Sequence, residues 1–211
     1  MSKFNIPWPS DKDKLFKEGS AWDPKVAVLD DWIKFQACDV LLPEYYKKAA
    51  DIIICYVVDD KHVKKIGPPH MYLFPIVYLY RHSTELYLKN LIQHGIQLQI
   101  LDESKRLQKL MGEHKLYPLW RKACVVLEEV FPNFNKNDLR NVGRLVKEFD
   151  EADPTGQNWR YAKDKTGKHI TEKLPLSVDL VAIRDTFDGL FRFFEGWDAM
   201  LWEARDWKYN Y

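Results

Sequence analysis

The chain has 211 residues and a mass of 25.1 kDa, enough to bury a sizeable core as one domain with an elaborated arm. Hydrophobic residues make up 46% and charged residues 30%, ordinary for a globular protein, while the 14% aromatic share predicts a core built on ring packing. A formal charge of +1 excludes a global field for nucleic acid or an anionic membrane, so either would need a local patch.

Residues 1–23 hold Pro7, Pro9, Gly19 and a charged cluster over 11–14, with no sustained period. They predict an arm anchored by Phe4, Trp8 and Trp22, and we divide the chain into this arm, 1–42, and a body, 43–211. Within the arm, Asp23-Pro24 favours a helix running to 42, although Val26, Val28 and Leu29 also suit a short strand. Pro43-Glu44 then opens a helix to about Asp59, with Tyr45, Ala49, Ile52, Ile53, Tyr56 and Val57 as its stripe. The linker 60–70 ends in Gly67-Pro68-Pro69, which breaks the helix, and is short enough to join an antiparallel pair.

The central element is a helix over 75–95, with Pro75 in its first turn and Gly95 ending it at positive φ. Its wide apolar face, including Ile76, Val77, Tyr80, Tyr87, Leu88 and Leu91, predicts burial. A narrow strip carries Tyr78, Arg81, His82, Glu85, Lys89 and Gln93, where Arg81–Glu85 and Glu85–Lys89 are four apart and can pair. This strip is either where the helix meets water or a site. His94, beside Gly95, reads as a helix C-terminal cation or cap.

Alternation over 96–101 suits a short strand or extended segment, followed by a charged helix or turn to Leu110. His114 leads into a helix with Pro118 in its first turn, carrying Ala123, Val126, Leu127 and Val130 and closed by Phe131-Pro132. The next helix spans 135–151, capped by Asn137 or Asp138, with Leu139, Val142, Leu145, Val146 and Phe149 inward. Asp153-Pro154, Gly156 and the bend at 164–167 then predict a long ordered loop or small hairpin inserted at 152–175. A long helix over 177–207 closes the chain, with Ile183, Phe187, Leu190, Phe194, Trp197 and Leu201 at helical spacing.

Cys38, Cys55 and Cys124 form no Cys-x-x-Cys pair, which argues against disulfides or a thiolate zinc site and for buried free thiols in a reducing cytosol. The first ten residues lack the apolar core of a signal peptide, and no apolar run is long enough to span a bilayer. The expectation is a cytoplasmic protein with no membrane association.

Three blocks occur in order: Tyr-Arg-His-Ser-Thr-Glu-Leu-Tyr-Leu-Lys-Asn-Leu-Ile at 80–92, His-Lys-Leu-Tyr-Pro-Leu-Trp at 114–120, and Asp153-Pro154, Trp159-Arg160-Tyr161, Asp164 and Gly167. Together they resemble a group of bacterial helical proteins related to the HEPN superfamily, over about residues 43–200. The resemblance implies an all-α bundle of four to five helices, homodimeric, in a superfamily whose active members are metal-independent ribonucleases of toxin–antitoxin and phage-defence systems. Those nucleases carry Arg and His on one helix with four to six residues between them. Here Arg81 and His82 are adjacent, seven residues separate Arg106 from His114, and eight separate Arg160 from His169. A noncatalytic module that scaffolds a protein partner therefore stands beside the nuclease reading.

For catalysis the candidates are His82, His114, Arg81, Arg160 and Glu85: two imidazoles for proton transfer, with a guanidinium on the developing phosphorane charge. The alternative is a structural polar network in which Glu85 accepts from Arg160 and fixes the loop to the bundle. For RNA binding or loop docking the candidates are Lys89, Trp159, Tyr161, Lys163 and Lys165, which combine charge with aromatic faces. Asp164 and the acidic stretch 148–153 weaken that field, so a solvated hairpin is the competing reading. No cofactor motif is present. His82, Glu85 and His114 could in principle hold a metal, but the His-Glu-x-x-His spacing is missing, and no metal is expected.

Overall fold

The computed structural model describes residues 38–59, 67–154 and 175–210, together with Ser20, Pro24, Ala27, Gly156, Trp159, Lys163 and Gly167 singly. The chain divides into two compact units, Met1–Gln36 and Ala37–Tyr211, and the helices among the described residues lie in the second. They are α1 (Cys38–Val57), α2 (Leu73–Gln97), α3 (Lys105–Gly112), α4 (Leu116–Val130), α5 (Lys136–Ala152) and α6 (Leu180–Asn210), with a 3-10 turn, Pro69–Tyr72, leading into α2. No strand occurs among the described residues, so the class is all-α.

The core is organised around α2, as its wide apolar face requires. Ile76 and Tyr80 pack with Ala50, Ile54 and Val57 of α1, while Leu88, Leu91 and Ile92 join Leu119, Trp120 and Leu127 of α4 in the main cluster. From α6, Leu190, Phe191, Phe194, Trp197 and Leu201 enter the same cluster. Rings supply much of the contact: Tyr80 stacks on Phe187 at 4.3 Å, and Tyr87 meets Phe191 edge-on at 5.2 Å. Such pairs add about 0.5–1.5 kcal/mol each beyond the area they bury.

Several local expectations are corrected. Helix α1 starts at Cys38, ahead of Pro43, so the boundary drawn at 42/43 falls inside it. Its inward face is Pro43, Ala50, Ile54 and Val57, whereas Tyr45, Ile52 and Tyr56 are exposed. The tyrosines and Ile52 drew the predicted stripe away from the face that meets α2. The rest of the helix expected over 23–42 lies outside the described residues, Pro24 and Ala27 excepted.

The stretch 96–101 is not extended. It completes α2 and turns through Gln99 at φ 60°, with Ile100 N–H donating to the Gly95 carbonyl and Gln99 N–H to that of Ile96. That is the Schellman pattern, with Gln99 in the left-handed position rather than Gly95. Gly95 is helical and serves packing: a Cβ there would stand 2.3 Å from Val126 Cγ2. Helix α6 covers this end of α2, where Tyr209 Oη and Lys208 Nζ donate to the carbonyls of Gln97 and Leu98. An ammonium at a helix C-terminus also complements its dipole.

The cap of α5 is Asn135, whose side chain accepts from Asn137 N–H, not Asn137 or Asp138. Helix α4 has no side-chain cap of its own; Asp150 of α5 accepts from Leu116 N–H at 2.7 Å and takes that role. For α6, Asp179 accepts from Val181 and Ala182 and starts the helix. Cys55 is exposed rather than buried, and the side chain of Cys38 lies outside the described residues.

Candidate functional site

Arg81 and Glu85 share one face of α2, and that face is covered rather than bathed in water: their side chains are each 3% exposed. What covers it is the start of α4 and the turn that leaves α5. Arg81 Nη1 lies 3.3 Å from Glu85 Oε2, and Nη2 donates to the carbonyls of His114 at 2.5 Å and Asp153 at 3.2 Å. Arg81 Nε also approaches Asp153 Oδ2 at 3.2 Å, an ion-pair distance without hydrogen-bond alignment. One guanidinium thus ties three segments together through its planar fork.

Gly156 closes the turn over this group. Its φ of +70° is a left-handed conformation, and a Cβ would lie 2.6 Å from His114 Cβ and 2.9 Å from Arg81 Nη1. Glycine is required there on both counts.

The other Glu85 oxygen, Oε1, receives Lys89 Nζ at 2.7 Å and meets His114 Nδ1 at 2.9 Å. Burial alone would raise the Glu85 carboxyl, but hydrogen bonds from Lys89 and His114, with their charges, hold it below its ordinary value. A carboxylate only accepts, so His114 Nδ1 is the donor to Glu85 and Nε2 is the ring nitrogen left for other partners. The His114 side chain is 48% exposed, and among the described residues nothing meets Nε2. Buried carboxylate behind, open imidazole in front: this is an arrangement for proton transfer or for holding an anion at the surface.

The structure therefore brings Arg81, Glu85, Lys89 and His114 together and adds Asp153, which the sequence marked only as a turn former. His82 is packed elsewhere, with Tyr46 edge-on at 4.5 Å and Tyr78 stacked at 6.0 Å. Trp159 is buried, edge-on to Phe74 at 5.8 Å and clustered with Val77, one to two turns N-terminal of Arg81. An indole so placed anchors the loop to α2 and offers no free face for a base. Lys163 is exposed. Arg160, Tyr161 and Lys165, along with most of the loop expected at 152–175, lie outside the described residues.

A second polar group went unnoticed in the sequence. Lys47 of α1 bonds Asp51 at 2.7 Å and Asp188 of α6, and the fully buried Tyr80 donates to Asp51 at 2.5 Å. Burial, then the hydrogen bond to Asp51, raises the Tyr80 phenol, which stays neutral. This group joins α1, α2 and α6. Among the described residues no three His, Cys, Asp or Glu side chains gather as a metal site would need, and no helix is long and apolar enough to cross a membrane. No family model, curated protein or solved structure matches this chain.

Proposed function

We propose that the chain is a HEPN-like, RNA-associated protein of bacterial stress or phage defence that acts as a homodimer and cleaves RNA without a metal ion. The order of the three sequence blocks supports the family, and the Glu85-braced imidazole of His114 carries the chemistry. His114 Nε2 takes the proton of a ribose 2′-hydroxyl. The 2′-oxygen then bonds to the adjacent phosphorus, the bond from phosphorus to the 5′-oxygen breaks, and that oxygen takes a proton from water. Glu85 stabilises the imidazolium formed, and Lys89 supplies a cation beside it.

A second reading is favoured by one observation: Arg81 is buried and its donors face protein acceptors, so it is not available to a phosphate. On that reading the network is purely structural and the surface binds a protein partner. Incubating the purified protein with total RNA in EDTA decides between them. Cleavage that falls about 10²–10⁴-fold in His114→Ala supports the nuclease. The variant keeps the His114 carbonyl that Arg81 holds, so its fold should survive, as circular dichroism would show. Intact RNA with wild-type protein leaves the scaffold reading in place.

A further inference from the structure

The loop at 159–169 was the sequence's candidate for nucleic-acid binding, yet a basic cleft also lies among the described helices. Between α3 and α4 is a cleft of about 640 Å³ whose lining includes Arg106, Lys109, Arg121 and Lys122, with Glu113 as its one carboxylate. Four cations less one carboxylate leave +3 in a chain whose total is +1. None of the four is paired with a carboxylate among the described residues. Arg106, Lys109 and Arg121 are exposed, and Lys122 is half-buried. Four cations on two facing helices, with no carboxylate paired to them among the described residues, set up a local positive potential that attracts an anion.

We propose that this cleft holds the phosphate backbone of a single RNA strand and leads it to His114. The proposal rests on the nuclease reading and deepens it. Glu113, which lines the cleft, directly precedes His114 in the chain, so their Cα atoms are about 3.8 Å apart. Leu110 and Val125 give the cleft apolar wall against which bases can lie, and the two guanidinium forks suit phosphate oxygens. Glu113 faces the same space and opposes an anion there, which favours a strand that passes it over one that settles on it.

The test is fluorescence anisotropy of the full chain with a labelled 2′-O-methyl oligo-uridine, which cannot be cut by 2′-hydroxyl attack. Four phosphate contacts predict a log–log salt slope of about −3, or roughly a fifty-fold loss of affinity between about 50 and 200 mM salt. The double variant Arg106→Gln/Arg121→Gln, checked for native circular dichroism, should lose about half of that slope. Affinity and slope unchanged in the double variant overturn the proposal. So does competition by poly-glutamate as effective as unlabelled oligo-uridine, which would assign the cleft to an acidic protein, or complete displacement by millimolar inorganic phosphate, which would make it a single-anion site. Cleavage of unmodified RNA separates the two readings. Binding through the cleft without cleavage keeps the cleft and removes the nuclease; cleavage unaffected by the double variant keeps the nuclease and removes the cleft.

Discussion

Asp153 and Arg81 meet twice: Oδ2 lies 3.2 Å from Nε, and the Asp153 carbonyl takes Nη2 at 3.2 Å. Because both side chains are almost wholly buried, removing the guanidinium takes an ion-pair partner from a buried carboxylate and a donor from two carbonyls. Arg81→Ala should cost about 3–5 kcal/mol, lowering the melting point by roughly 10 °C. Arg81→Lys keeps the charge but not the fork that reaches Glu85, His114 and Asp153 together, so it should lose most of the same stability. A lysine variant within about 1 kcal/mol of wild type in urea unfolding would show that charge alone suffices.

Acid should expose the role of Glu85. Its folded-state carboxyl sits below the ordinary 4.5, so the stability it contributes is present above that value and is lost as pH falls through the lowered one. Asp150 works in the opposite sense, since burial raises its carboxyl above 3.8 despite the hydrogen bond from Leu116. The wild-type acid limb is therefore a difference of the two, and the comparison with Glu85→Gln isolates one. Urea unfolding at stepped pH should find the variant less stable near neutrality, with the gap closing between about pH 5 and 3. A gap that is constant or widens in acid contradicts the sign.

Which parts of this site the sequence could disclose follows from the kind of signal each carries. Arg81, Glu85 and Lys89 are legible because spacings of four place them on one helical face. His114 opposite Glu85 is legible only as a bundle contact, once α2 and α4 are known to be neighbours. Asp153 reaches Arg81 across a separation of 72 residues, and the carbonyls of His114 and Asp153 are backbone atoms with no sequence signature. His82 shows the reverse error. It neighbours Arg81 in sequence, but consecutive helical residues diverge by about 100°, and Tyr46 and Tyr78 hold its ring. Five of the six described helices are legible in outline because 3.6-residue periodicity survives burial, whereas the short α3 reads equally as a turn. Their ends are less so, since Pro43 lies within a helix and Gly95 fills a close contact rather than a cap.

Glycines of α2 and α6 should respond oppositely to alanine. At Gly95 a methyl would press on Val126 and Leu101, and repacking should cost about 1–3 kcal/mol. Gly189 and Gly196 are exposed in α6, with nothing within 4 Å of an added Cβ, so alanine there should stabilise by about 0.5–1 kcal/mol each through helix propensity. Thermal melts of Gly95→Ala, Gly189→Ala and Gly196→Ala read the signs directly. A neutral Gly95→Ala would mean that α2 and α4 separate more easily than their contact suggests.

The two cysteines whose side chains are described differ in exposure. Cys55 is exposed on α1, its Sγ 3.9 Å from Arg184 Nη1. Cys124 is half-buried, and burial, with the charge of Glu128 adding to it, pushes its thiol up to about 12. The thiolate is the species that reacts, so at neutral pH Cys124 is protected twice, by access and by protonation. In a Cys38→Ser background, iodoacetamide followed by peptide mapping should label Cys55 quickly in the native protein and Cys124 only after unfolding. Equal labelling rates would place Cys124 in a segment that opens readily. Because Cys124 packs against the main core cluster, its labelling under native conditions also reports how often α4 leaves α2, the pairing that holds His114 over Glu85.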